Sequence, residues 1–284
     1  MDSKELVTGV VRLVSLPEVC LRVTEMLEDP NTTATELGKV ISRDTSLTAR
    51  LLKIVNSAYY GFSSRIETVT RAVTIIGLRE LRGLVLAASA IEAFSKIPTD
   101  LLNMAYFWRH SVYCGVIAQL LAKRCNVLHS ERLFVAGLLH DIGKLIICHK
   151  LTEQAELIIN TCKETGEYDF EVEKRILGFD HAEVGSELLR EWRMPDSLRD
   201  SVAFHHDPEQ AEDSILDVCM IHIANCLTGI AEQEIEQQGG VQVVSDYAWK
   251  ISGLDESVIE DVFAEAGPLF SDALETILPK NYLP

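Results

Sequence analysis

The sequence predicts an all-α protein, and three observations carry that expectation. Apolar residues recur at three- and four-residue spacing through nearly every segment of the 284-residue chain, the pattern of a helix with one buried face. Cap signatures stand in front of several of these runs. No Asn-Gly or Asp-Gly hairpin dipeptide occurs, and strand-like and helix-like segments do not alternate, so neither hairpins nor a doubly wound sheet is indicated.

In "SLPEVCLRVTEMLED" a Ser stands before a Pro near the first turn, and apolar residues follow at helical spacing. "TATELGKVI" holds Thr33 and Glu36 three apart, a capping box. "SLTARLLKIVNSAYYG" puts Leu47, Leu51, Ile54 and Val55 on one face and is expected to stop at Gly61. Val69 to Ile76 is β-branched enough for a strand. Val69, Val73 and Ile76 also form a helical stripe that Gly77 can end, and the neighbouring helices favour that reading. Asn103 to Cys125 reads as a long amphipathic helix, and Ser130 and Glu131 start another that runs through His140. Asp180, three before Glu183, caps the next. Pro195 opens "PDSLRDSVAFHH" from a first-turn position, and "DSILDVCMIHIANCLTGIAEQ" is apolar at i, i+3, i+4 and i+7. Boundaries are expected at "SKIPTD" and "EQQGGVQ". They divide the chain into an N-terminal helical bundle (1–97), a second helical core (98–236) and an acidic C-terminal helical tail (237–284), packed as sub-bundles of one body.

Apolar residues make up 47% of the chain, enough for a sizeable core. No apolar run is expected to reach the roughly 18 residues of a membrane span. The start, "MDSKELVTGVVRLVSLPEV", carries acids and no small-residue cleavage site, so no secretory signal is expected. Seven cysteines, an odd number without a C-x-x-C pair, read as reduced core thiols of a cytoplasmic protein. The net charge of −17 is uneven: residues 1–150 hold 18 basic against 14 acidic groups, and residues 151–284 hold 8 against 29. Such a chain repels phosphate backbones and acidic membranes, so neither nucleic acid nor membrane is an expected partner. The mildly basic first half leaves room for an acidic protein partner.

The eight histidines carry the chemical argument. His110 lies in "FWRHSVYCG"; His140 and Asp141 are adjacent in "GLLHDIGKLIICHK"; His181 follows Asp180; His205 and His206 are adjacent; His222 stands three before Asn225. His129 and His149 complete the set. Imidazole nitrogen and carboxylate oxygen suit borderline divalent ions such as iron, manganese, nickel or zinc. An adjacent His-Asp pair offers one ligand of each kind and can bridge two ions. Lys144, nearby, could neutralise a phosphate oxygen. A single helical histidine is more often a hydrogen-bonded core residue than a ligand, so the weight rests on the order of the whole set.

That order resembles the HD superfamily of metal-dependent phosphohydrolases, and most closely its HDOD (HD-related output domain) branch. The resemblance runs over roughly residues 10 to 230 and is carried by "LPEVCLRVTEML", "VISRDTSLTARLLKIVNSAYYG", "IETVTRAVTIIGLRELRGLVLA", "AGLLHDIGKLII", "HAEVGSELLREWRMPDSL" and "AFHHDPEQA". It implies an HD-like helical core fused to an N-terminal bundle, acting as a bacterial signalling output module on other signalling proteins. It also implies His110, His140, Asp141, His181, His205 and His206 as ligands of one or two divalent ions, with Lys144 as a phosphate contact in an active site. Two departures stand against catalysis. Asn225 occupies the position of a closing Asp, and an amide oxygen is a neutral, weaker ligand. The segment after "HDIGK" also lacks the Gly-Tyr-Pro loop of related cyclic di-GMP hydrolases. The expectation is therefore a non-catalytic output or scaffold module with a retained metal site. The alternatives are a metal-dependent phosphohydrolase acting on a nucleotide or cyclic dinucleotide, and a metal- or ligand-sensing module.

Overall fold

The computed structural model describes residues 2–10, 16–57, 60, 62, 64–94, 101–232 and 240–278. All regular structure among them is helical, as the sequence predicts. The chain forms two compact units, one of residues 1–13 with 97–266 and one of residues 14–96 with 267–284. The boundaries expected at 97 and 236, and the helix stop expected at Gly61, lie outside the described residues.

The smaller unit holds α2 (Glu18–Glu28), α3 (Ala34–Ile41), α4 (Thr45–Val55), α5 (Val69–Ile76), α6 (Leu78–Phe94) and the second part of α16 (Ile259–Ile277). Its polar motif residues are structural. Thr33 and Glu36 make the reciprocal capping box of α3, Thr33 N–H donating to Glu36 Oε2 at 2.9 Å. Asp44 caps α4 by accepting from Leu47 N–H at 2.9 Å. Asn56 ends α4 and brackets Ile66, accepting its N–H and donating to its carbonyl, each at 2.7 Å. Gly77 closes α5 with φ +88°, which only glycine adopts without strain. Leu47, Leu51, Ile54 and Val55 are all buried, so the stripe read from the sequence is the face that meets the core.

The larger unit holds α1 (Ser3–Thr8), α7 (Met104–Arg124), α8 (Glu131–Leu139), α9 (Ile142–Lys150), α10 (Thr152–Thr165), α11 (Asp169–Leu177), α12 (His181–Glu191), α13 (Asp196–Ala203), α14 (Ile215–Glu232), α15 (Asp246–Ser252) and the start of α16. Asn103 caps α7 by accepting from the Ala105 and Tyr106 amides. Asp180 caps α12 through Glu183 N–H at 2.9 Å. Pro195 is the cap residue of α13 rather than part of its first turn. Against expectation, α14 is long and apolar enough to cross a membrane, but 67% of that stretch is buried inside the protein. It is apolar on most sides because helices surround it. All seven cysteines are free, and all but Cys125 are buried.

Two glycine contacts bring this unit's helices to backbone distance. A Cβ on Gly137 of α8 would lie 2.6 Å from Gly115 Cα of α7. A Cβ on Gly143 of α9 would overlap the His181 carbonyl and lie 2.8 Å from Gly185 N of α12. Gly9 at the end of α1, in contrast, has right-handed helical dihedrals (φ −70°), and its Cβ would meet the Leu6 and Glu5 carbonyls at 3.5 and 3.7 Å, ordinary contact. Gly137→Ala and Gly143→Ala are each expected to destabilise the protein by about 1–3 kcal/mol through overpacking, whereas Gly9→Ala stabilises it by up to about 1 kcal/mol. Urea melts of the three variants check this ranking, and equal midpoints for all three would contradict it.

Candidate metal centre

The two glycine contacts carry His140 and Asp141 to their partners. His140 ends α8, three residues after Gly137, and its ring lies 5.3 Å from that of His110 on α7, centroid to centroid. Asp141 begins α9, two residues before Gly143, and its Oδ1 lies 3.1 Å from His181 Nε2 at the start of α12. His205 and His206 follow the end of α13. Asp141 is thus central, with Oδ1 also 3.5 Å from His140 Nε2 and 3.7 Å from His205 Nε2, and Oδ2 3.8 Å from His110 Nε2. Two ligand groups result, Asp141–His181–His205–His206 and His110–His140–Asp141, each with donor atoms within 4.8 Å of one another. Asp141 belongs to both.

The far side of each ring is anchored. Nδ1 of His140 reaches the Gly137 carbonyl at 2.7 Å, and Nδ1 of His205 the Val202 carbonyl at 2.7 Å. Nδ1 of His181 meets Glu173 Oε2 at 2.7 Å, that of His110 meets Glu232 Oε2 at 2.8 Å, and that of His206 meets Gln242 Oε1 at 3.1 Å. All five partners are acceptors, so all five Nδ1 atoms carry hydrogen, a tautomer assigned from the network. In the neutral ring Nε2 then presents its lone pair to the shared space. Such outer partners are what orient metal-ligating histidines. His140 Nε2, His205 Nε2 and Asp141 Oδ1 are buried and make no hydrogen bond. Although His181 Nε2 is near Asp141 Oδ1, the pair lacks hydrogen-bond alignment. Unmatched buried polar atoms are costly, and here the two ring nitrogens both lie within 3.7 Å of the carboxylate oxygen. The donor set fits one or two divalent ions of the iron, manganese, nickel or zinc kind.

Charge follows the same layout. Burial lowers His140 to about 4 and holds His205 and His206 well below the ordinary value. These three are neutral at pH 7. Burial works against charge on His181 too, but Glu173 outweighs it and lifts this ring to about 10. Its second proton lies on Nε2, which faces His206 Nε2 at 2.8 Å. Burial likewise opposes the Asp141 charge, but His140 and Lys144 hold the carboxyl well below its usual range. Lys144 Nζ is 2.9 Å from Asp141 Oδ2 and 2.7 Å from Asp169 Oδ2. Asn225 Oδ1 lies 3.2 Å from His110 Nε2.

The structure therefore brings together His110, His140, Asp141, His181, His205 and His206, with Lys144 and Asn225 at the edge. It sets His222 apart. That ring sends Nδ1 to the His205 carbonyl at 2.8 Å and accepts Ser245 N–H on Nε2 at 3.1 Å, so both nitrogens are used. Sequence reasoning missed Glu173, Glu232, Asp169 and Gln242. Glu232 stands seven residues after Asn225 on α14, a spacing that puts both on one face. Glu173 adjoins the buried Val172 on α11, but nothing in the sequence marks Gln242.

A buried carboxylate ringed by histidines with anchored far nitrogens, on an all-helical frame, defines a helical domain with a candidate metal centre. Comparison with known proteins fixes the family: the HDOD domain model matches residues 13–208, and the chain belongs to the HDOD family. An HDOD domain protein from Geobacter sulfurreducens has the same fold at TM-score 0.77 and 24% identity, over 97% of this chain and 98% of that one. A candidate phosphohydrolase from Shewanella amazonensis SB2B matches at TM-score 0.75 and 24% identity, over 96% and 98%. A Treponema pallidum (strain Nichols) protein is 26% identical over 200 residues, which are 70% of this chain and 38% of that protein. The chain thus spans well under half the length of that curated relative.

Three outcomes are expected. In the metal-free protein, the stability contributed by the raised His181 is complete below its ordinary value of 6.5 and is lost as pH rises through about 10. Metal must displace that proton, so adding a divalent ion at pH 7 in weak buffer acidifies the solution by at least about one proton per site. Glu173→Gln weakens the anchor on His181 and lowers metal affinity by about 10–100-fold, measured by competition with a chromogenic chelator.

Proposed function

We propose that the chain is a signalling output module that retains a divalent-metal site and acts through contact with another signalling protein rather than by hydrolysis. The observation that carries the metal part is the buried, unmatched Asp141 Oδ1 shared by two ligand groups, with the unmatched Nε2 atoms of His140 and His205 at 3.5 and 3.7 Å from it and five histidines anchored from behind. Lys144 supports the non-catalytic part. Its charge is neutralised by Asp141 and Asp169, so it is not offered to a phosphate. Asn225 in place of a carboxylate leaves one side of the site with a neutral ligand. A bacterial, cytoplasmic setting belongs to the same reading and is supported by seven free thiols. The partner could equally be another domain of a longer protein.

A metal-dependent phosphohydrolase is the second reading, favoured by a cavity that opens onto the cluster and is lined by Asp141, Lys144 and His206. A bound ion there would supply a water of lowered pKa and polarise a phosphoryl oxygen. Asp141, His181, His205 and His206 would hold it, and Lys144 would have to leave Asp169 to reach the substrate.

Protein purified without chelator is expected to contain close to one or two equivalents of a transition metal. At free metal about 100 times the dissociation constant, the ion stabilises the fold by about 2.7 kcal/mol, read as a chelator-sensitive melting temperature. Trace metal with a chelator-indifferent melt removes the metal site from this reading. Turnover of any nucleotide or cyclic dinucleotide under added manganese or iron replaces it with the second.

A further inference from the structure

We propose that the cavity above the metal cluster receives a small amphipathic anion, with an acidic oxygen head (carboxylate or phosphate monoester) at the cluster and an apolar body running away from it. The inference rests on the metal reading, because the head needs the cation. The cavity measures about 360 Å³ and lies wholly within the larger unit. Its lining includes two contrasting sets. His110, Asp141, Lys144, His206 and Asn225 belong to the cluster and its edge; Ile147, Cys148, Ala155, Ile158 and Cys162 come from α9 and α10.

Helical spacing explains how the second set lines up beside the first. On α9, Lys144, Ile147 and Cys148 share a face that starts at Asp141 and leads outward. On α10, Ala155, Ile158, Ile159 and Cys162 fall at i, i+3, i+4 and i+7, one unbroken apolar stripe. Burial pushes the Cys148 and Cys162 thiols up to about 12 and about 11. Both stay uncharged and behave as small hydrophobes. Seven residues separate Asp141 from Cys148, roughly 10 Å along a helix axis, the reach of a body of about six to eight carbons.

The α9 and α10 side does not suit a nucleobase. Base recognition needs polar groups along the edge or an open aromatic face. That side offers the aliphatic and thiol groups of Ile147, Cys148, Ala155, Ile158 and Cys162. Phe170 lies between Tyr168, at 5.6 Å and 7° between rings, and His206, at 4.1 Å and 17°. Its two faces are therefore occupied. Gly240 packs against the Tyr168 ring, where a Cβ would lie 2.9 Å from Cε1. The cavity also has more carboxylates (Asp141, Asp169, Glu173, Glu232) than lysines (Lys144, Lys163). An anion is welcome there only once metal has offset that charge.

The test is isothermal titration of the full chain loaded with manganese, using inorganic phosphate, octyl phosphate, acetate, octanoate, octanol and adenosine monophosphate, all below micelle-forming concentrations. Each buried methylene is worth roughly a fourfold gain in affinity, so octyl phosphate should bind at least about 100-fold tighter than phosphate, or octanoate than acetate. Which pair responds tells phosphate head from carboxylate head. Octanol, lacking the anionic head, should bind far more weakly. Half-buried Ile159→Asp should erase the chain-length gain, with manganese stoichiometry measured in parallel to show that the cluster still forms. Binding of manganese without any chain-length gain overturns this inference and leaves the metal reading standing. Adenosine monophosphate binding tighter than octyl phosphate overturns it in favour of a nucleotide site. Failure to take up manganese overturns both.

Discussion

Glycine on either side of His140 and Asp141 governs the larger unit. Gly137 lets α8 meet α7 backbone to backbone, and Gly143 does the same for α9 against α12. The first contact brings His140 beside His110, and the second brings Asp141 beside His181. A Cβ at either position would overlap the backbone of the facing helix, so the helices would have to part. The cluster's dimensions are therefore fixed by the main chain, and the ligand side chains inherit them.

The second layer is polar and equally specific. Carbonyls from the last turns of α8 and α13 hold His140 and His205, so helix ends that would otherwise leave acceptors unmet are satisfied by ligand rings. Glu173 accepts both Nδ1–H and the backbone N–H of His181, each at 2.7 Å, which fixes ring and helix start with one carboxylate. Burying three carboxylates this close together is unfavourable unless cations compensate. Lys144 and the charged His181 do so in part, and the remaining imbalance is what a divalent ion would remove.

Much of this was legible in the sequence because it obeys local rules. Helical spacing and cap residues marked α3, α4, α5, α7 and α12, and the order of histidines marked six of the clustered residues. The rest depends on distance in the fold. Glu173 is eight residues from its partner and Glu232 more than a hundred from His110, so no spacing rule joins them. His222 shows the converse. Its place in an apolar helix looks no different from that of His110, and only the fold separates them: Nε2 of His110 lies 3.8 Å from Asp141, whereas that of His222 accepts from the Ser245 backbone. The apolarity of α14 misled in another way: a helix surrounded by protein and one surrounded by lipid need the same composition.

Gln242 grips His206 twice, accepting from its ring at 3.1 Å and donating to its backbone carbonyl at 2.7 Å. The double grip ties the orientation of the ring to the placement of Gln242. Of the clustered histidines, His206 is the one whose anchor comes from the segment between α14 and α15 rather than from a helix or a helix end. Four members of the cluster are thus tied to the helical frame and the fifth to a connection, so a change in that connection reaches the cluster through one ring.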